Sequence, residues 1–252
     1  MGRPEILFPL FADTTTLPGV GPKIAALLAK TAGLRVVDLL FTPPAGIVDR
    51  RFSPGAAAAP PGVVASFLVT ILGHDAPRGP RRPHRILCED HTGPLTLVYF
   101  NARGDWLAKT YPVGEKRIVS GRVERFDDAA QIAHPDIVAR ESEADEVLRA
   151  EPVYPLTAGL NARPAAKAAA AAIGCAPDLP DWLDPALKAR EGWPDWRDAL
   201  AALHAPQNER DLGFDAPLRR RRAYDELLAS QLALAIVRAR RRAKPGRSTV
   251  GD

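Results

Sequence analysis

Between residues 62 and 138 the apolar side chains switch to a period of two, near-continuous only at 63–72 as in a strand covered on both faces, and that period constrains the fold more than any other feature of the sequence. A period of two belongs to strands, whose side chains alternate between the two faces of a sheet. The pattern breaks into five runs, at 63–72, 84–88, 95–100, 114–123 and 130–133. The turn Glu89-Asp90-His91-Thr92-Gly93 separates the second run from the third. Residues 102–110 (ARGDWLAKT), between the third and fourth, read as a short helix.

Five strands with one helix between the third and fourth is the plan of an OB-fold, a small barrel that commonly holds single-stranded nucleic acid. The flanks change period. Residues 1–52 read as a helical segment, with short helical runs at 24–28 and 36–41. Residues 53–61 (SPGAAAAPP) read as a linker with too little side-chain surface to pack. Residues 150–252 return to helix in runs at 164–173, 195–204 and 218–242. The expected class is α+β, with a barrel at 62–138 between two helical segments and a long basic helix at the end.

Apolar residues make up 46% of the chain, which excludes disorder along its whole length. The best candidate for a membrane span, 227–237, is too short, contains Ser230 and Gln231 and runs into Arg238. Two cysteines cannot build a disulfide framework, so a reducing compartment is expected. A secretion signal at 6–12 is disfavoured by its brevity and by Pro9, and a cytoplasmic location is expected. Residues 215–252 hold ten Lys/Arg against four acids, a net +6 that leaves −2 elsewhere, against +4 for the whole chain. Such clusters suit a polyanion or a solvated helix face.

The sharpest local motif is LPGVGPKIAALL at 17–28. Gly19 and Gly21 permit a tight turn, Pro22 suits the first turn of a helix, and Lys23 supplies a cation beside free amides. This looks like the turn of a helix-hairpin-helix element, which grips DNA backbone phosphate without reading bases; a plain helix–helix turn favours the same residues. At the end of the third strand run, Tyr99 and Phe100 are adjacent, so one of them is a candidate for exposure. An exposed ring on such a barrel stacks on bases. Arg103 and Trp106 follow, although Trp106 taken alone reads as barrel core. Cys88 and His91 have C-x-x-H spacing without a second ligand pair, so no metal site is assigned. The chain contains neither a G-x-x-x-x-G-K-[ST] phosphate loop nor a G-x-S-x-G elbow, and no catalytic residue is assigned. The carboxylates at 141–151 read as a solvated connector. The apolar residues from Leu227 to Val237 cover more than half of the last helix and call for a covering surface.

Taken in order, several segments resemble the N-terminal region of the bacterial ATP-dependent DNA helicase RecG family. They are GVGPK at 19–23, DLL at 38–40 with Pro43-Pro44, Asp49-Arg50, LTLVYFN at 95–101, Gly114, Gly121 and His134-Pro135. PVYPLTAGL at 152–160, ALAALHAP at 199–206 and YDELLASQLALAIVR at 224–238 complete the series. The resemblance implies a wedge domain on an OB barrel that binds branched DNA at stalled forks and Holliday-type junctions, in repair and recombination. It also implies that Tyr99 and Phe100 stack on bases at the junction. A further aromatic found two residues on in some members is Ala102 here, so that part of the platform is missing or moved to Trp106. A Tyr often found ahead of the Asp-Arg pair is Ile47. The family continues into two motor domains that bind ATP and Mg; this chain ends at Asp252, so those cofactors are expected only for the motor domains. The chain is expected to hold no cofactor and no metal, to be a monomer, and to meet the motor domains in cis or in trans. The DNA-binding set so assigned is Gly19, Gly21, Lys23, Tyr99, Phe100, Arg103 and Trp106. The rival expectation is an OB module that docks protein through the apolar last helix and has no DNA role.

Overall fold

In the computed structural model of the chain, residues 3–77, 79, 82–127 and 129–242 are described. Helices Phe8–Phe11 (α1), Pro22–Leu28 (α2) and Val36–Leu40 (α3) precede a short strand, Gly46–Asp49 (β1). Then come Val64–Asp75 (β2), His84–Glu89 (β3), Pro94–Tyr99 (β4), helix Gly104–Thr110 (α4), Lys116–Phe126 (β5), Ala129–Ala133 (β6) and Ile137–Ala139 (β7). Helix Ala144–Val147 (α5) and strand Ala150–Val153 (β8), which pairs with β1, lead into Ala162–Gly174 (α6), Pro185–Glu191 (α7), Trp196–Leu203 (α8) and Pro217–Arg242 (α9). The chain divides into two units: residues 47–151, and residues 1–46 together with 152–252.

In the first unit the strands run in the order β2-β3-β4-β6-β5, and β5 pairs back onto β2, closing a five-stranded barrel. β4 and β6 are parallel; the other pairs are antiparallel, and β7 extends β5 outward. Closure depends on the length of β2. Its first half, from Val64 to Thr70, pairs with β5, and its second half, from Thr70 to Asp75, with β3. The register shifts between Ile71 and Gly73, where a bulge lets one strand turn the corner between two neighbours. Phe67, Val69, Ile71, Ile86, Leu95, Leu97, Val119, Val123 and Ile132 fill the interior. This is the OB plan expected from the order of the period-two runs.

The segment 53–61 departs from its reading as an unpacked linker. Ala56 and Ala59 are buried within the barrel core. The Ala56 amide donates to the Asp90 carboxylate (2.8 Å) and the Ala57 amide to Thr92 Oγ1 (3.1 Å). Arg125 donates to the carbonyls of Ala57 and Ala59. Methyl-sized side chains pack there against the barrel core, and the same smallness made the segment look featureless in sequence.

The second unit joins both helical segments in one core. Leu10, Leu28, Val36 and Leu40 from the early helices pack with Leu160, Ala168, Ala172, Trp196 and Leu200 from the later ones. Alanines 165, 168, 169 and 172 form the buried stripe of α6, and their small side chains let that helix approach its neighbours closely. His204 is buried, with Nε2–H donating to the Leu40 carbonyl (2.9 Å) and Nδ1 accepting from the Tyr154 hydroxyl (2.9 Å). Burial holds this imidazole below its ordinary pKa, and the nearby Arg222 adds to the effect against the opposing Leu40 bond.

Four arginines, 219–222, open α9, and in sequence they read as a polyanion clamp or a solvated face. Arg221 is instead fully buried, donating to Asp181, Asp225 and the Pro194 carbonyl. Arg220 pairs with Glu191 (2.7 Å), Arg219 donates to the Pro44 carbonyl, and Arg222 lies over the Phe41 ring. This cluster is therefore built into the helical unit. Arg238, Arg240, Arg241 and Arg242, by contrast, are exposed at the far end of α9. Lys244 and Arg247 lie outside the described residues.

Candidate nucleic-acid interface

β4 carries Leu95, Leu97 and Tyr99 on its inward face, so the residue after Tyr99 emerges from the barrel. Tyr99 is 6% exposed and Phe100 is 50% exposed. Adjacent aromatics thus divide, one to the core and one to solvent. The expectation that both rings offer stacking faces is corrected on this point. Tyr99 points into the barrel and hydrogen-bonds through its hydroxyl to that of Tyr111. Burial raises the pKa of both phenols, so each hydroxyl stays protonated and one of them donates to the other.

Trp106 is corrected in the opposite sense. Taken alone it read as core, but it is 50% exposed on the outer side of α4, while Leu107 beside it is buried. Its indole meets Tyr99 edge-on at 5.8 Å between centroids. His134 meets Tyr99 edge-on from elsewhere, at 5.3 Å, and lies at 31° to the Phe100 ring at 5.9 Å. The barrel end therefore carries two exposed rings, Phe100 and Trp106, each supported by the buried Tyr99 either directly or through His134. Arg103 is the N-cap residue of α4, with an exposed side chain that makes no ion pair among the described residues. Two half-exposed rings, with an exposed guanidinium between them in sequence, are the kinds of group that stack on bases and pair with phosphates.

The glycine turn lies in the other unit. Gly19 has φ +76°, which favours glycine, and no atom stands near where its Cβ would be. Gly21 caps α2, Pro22 is its first residue, and Lys23 is exposed. Gly19 thus takes the conformation of a tight turn, whereas Gly21 is extended (φ −80°, ψ 172°). The structure gathers Tyr99, Phe100, Arg103 and Trp106 in the barrel unit, and Gly19, Gly21 and Lys23 in the helical unit.

Sequence reasoning missed His134, whose only signal was its place in the His134-Pro135 pair. Cys88 is buried, its thiol donates to the Leu95 carbonyl, and burial pushes its pKa up to about 12, a packed group rather than a nucleophile. Among the described residues no three or more His, Cys, Asp or Glu side chains come together as a metal site. No described helix is long and apolar enough to cross a membrane.

No family model matches the chain. It is 28% identical over 237 residues to the ATP-dependent DNA helicase RecG of Escherichia coli K12, covering 89% of this chain and 33% of that protein. It is 24% identical over 224 residues to RecG of Aquifex aeolicus (82% and 28%), and 27% over 223 residues to RecG of Synechocystis (81% and 26%). Among solved structures, RecG bound to a three-way DNA junction superposes with a TM-score of 0.67 at 23% identity, over 92% of this chain and 32% of that one. The chain is thus homologous to the N-terminal region of RecG over most of its length, and it spans about a quarter to a third of the length of the curated relatives it matches.

Proposed function

We propose that this chain is the branched-DNA-binding module of a RecG-like helicase, acting on stalled forks and junctions in repair and recombination. The observation that carries this reading is the pair of exposed rings, Phe100 and Trp106, at one end of an OB barrel, with the exposed side chain of Arg103 between them in sequence. Opening a base pair at a branch costs a few kcal/mol, and stacking a freed base on a protein ring returns about 1–3 kcal/mol. Arg103 and Lys23 contact phosphates, which position the DNA without reading sequence. The ATP site belongs to the motor domains of the family, so strand separation here is a wedge action that needs a motor for movement. The relative solved with a three-way junction supports the choice of branched DNA as partner.

The test is fluorescence anisotropy with a three-way junction and a linear duplex of equal length at two salt concentrations. The expected result is preference for the junction, weaker binding as salt rises, and loss of that preference when Phe100 and Trp106 are both changed to Ala. Equal affinity for junction and duplex, or a preference that survives the double change, overturns the reading. A second reading, protein docking through α9, is favoured by the exposure of Leu227, Leu232, Leu234, Ile236 and Val237. Absence of DNA binding at both salts selects it.

A further inference from the structure

β4 leaves the sheet after Tyr99. Its ladder with β6 ends at Val98 opposite Ala133, and with β3 at Tyr99 opposite His84. The next amide, that of Phe100, donates to a side chain instead: His134 Nε2, at 3.2 Å. The main chain of His134 also takes part, its amide donating to the Val98 carbonyl (2.9 Å). One residue therefore ends the β4–β6 pairing with its backbone and holds the first residue beyond it with its ring.

That arrangement requires unusual backbone. His134 has φ +48°, and Asn101, directly after Phe100, has φ +55°. Non-glycine residues in this region carry a conformational cost and persist where the surroundings fix them. The same conformation brings the imidazole edge-on to Tyr99 and within 5.9 Å of the Phe100 ring. Phe100 is thus held by its amide, by the ring beside it and by the reversal at Asn101, while half its surface stays open.

We propose that His134 is the positioning residue of the stacking surface: it fixes the Phe100 ring in its exposed orientation before DNA arrives. This rests on the reading of Phe100 as the ring that meets a base. A ring fixed in advance loses less conformational freedom on binding than one on a free loop, so the contribution of His134 passes entirely through Phe100. The imidazole acts as an acceptor, with Nε2 unprotonated and the ring proton on Nδ1.

Amide hydrogen exchange at Phe100 and three-way-junction affinity test this in the full chain, His134→Ala, His134→Gln, His134→Asn, Phe100→Ala and the Phe100→Ala/His134→Ala pair. His134→Ala is expected to speed exchange at the Phe100 amide about 2- to 12-fold and to weaken junction binding by up to roughly 140-fold. Gln places an acceptor near the Nε2 position and restores both in part. Asn keeps the preference for positive φ but falls short of the amide, so it restores neither. In the Phe100→Ala background, His134→Ala changes affinity by less than about twofold, because coupled positions are not additive. Unchanged exchange in His134→Ala overturns the proposal, as does full weakening by His134→Ala on top of Phe100→Ala. Should His134→Ala fail to fold, the Gln and Asn variants decide by the same two readouts. Wild-type affinity in Phe100→Ala refutes the base-stacking reading by itself, while the exchange at Phe100 still decides whether His134 holds the ring.

Discussion

Tyr99 and Phe100 are neighbours of similar size, and the structure predicts opposite consequences for changing them. Tyr99 is 6% exposed, touches Trp106, Tyr111 and His134, and shares a hydroxyl hydrogen bond with Tyr111. Truncating a buried aromatic to Ala costs about 3–5 kcal/mol. Removing only the hydroxyl in Tyr99→Phe leaves the Tyr111 hydroxyl without its partner in the core, about 1–3 kcal/mol. For a unit of this size each kcal/mol lowers the midpoint by roughly 4–8 °C, so Tyr99→Phe should melt about 4–24 °C earlier. Phe100→Ala removes a half-exposed ring and should shift the melt by only a few degrees. Junction affinity should follow the reverse order, falling about 5- to 140-fold in Phe100→Ala and hardly at all in Tyr99→Phe below its melting range. Thermal melts by near-ultraviolet circular dichroism and anisotropy at 10 °C measure the two quantities separately. A Tyr99→Phe chain that melts like wild type but has lost junction binding would refute the division between inward and outward ring.

Three other expectations follow from packing and charge. Gly121→Ala places a Cβ 2.6 Å from Ile132 Cγ2 and 3.3 Å from Pro135 Cα, inside the closed barrel, and should destabilise the barrel unit by about 1–3 kcal/mol in a denaturant titration. Arg221→Ala leaves Asp181 and Asp225 without their buried cation and should cost about 3–5 kcal/mol, whereas Arg221→Met recovers much of that loss when Asp181 and Asp225 are changed to apolar residues as well. His204 has a lowered pKa in the folded chain, so the unfolded chain binds the proton more readily. Stability of the helical unit should therefore fall as pH drops below the ordinary imidazole range near about 6.5, and His204→Gln should flatten that slope in melts between about pH 5 and 8.

The apolar runs from 62 to 138 were enough to give five barrel strands in chain order and the helix between the third and fourth, but not how the strands pair. Strand formation is local, and a period of two is visible in any single strand. Gly19 likewise declared its turn, because the backbone there needs a residue without Cβ. The inward parity of β4 was not local. Leu95, Leu97 and Tyr99 alternate with Thr96, Val98 and Phe100, and either set is apolar enough to face the core. Only the pairing of β5 back onto β2, which closes the barrel, decides that Tyr99 is sealed in and Phe100 is offered outward. The same holds for Ala56 and Ala59, which are buried only because the chain around Asp90 and Thr92 is brought against them. It holds also for Arg221, read as surface charge until Asp181, forty residues earlier, is brought against it. Periodicity and backbone demands are written residue by residue; burial depends on what the rest of the chain places opposite, and that is settled only when distant segments meet.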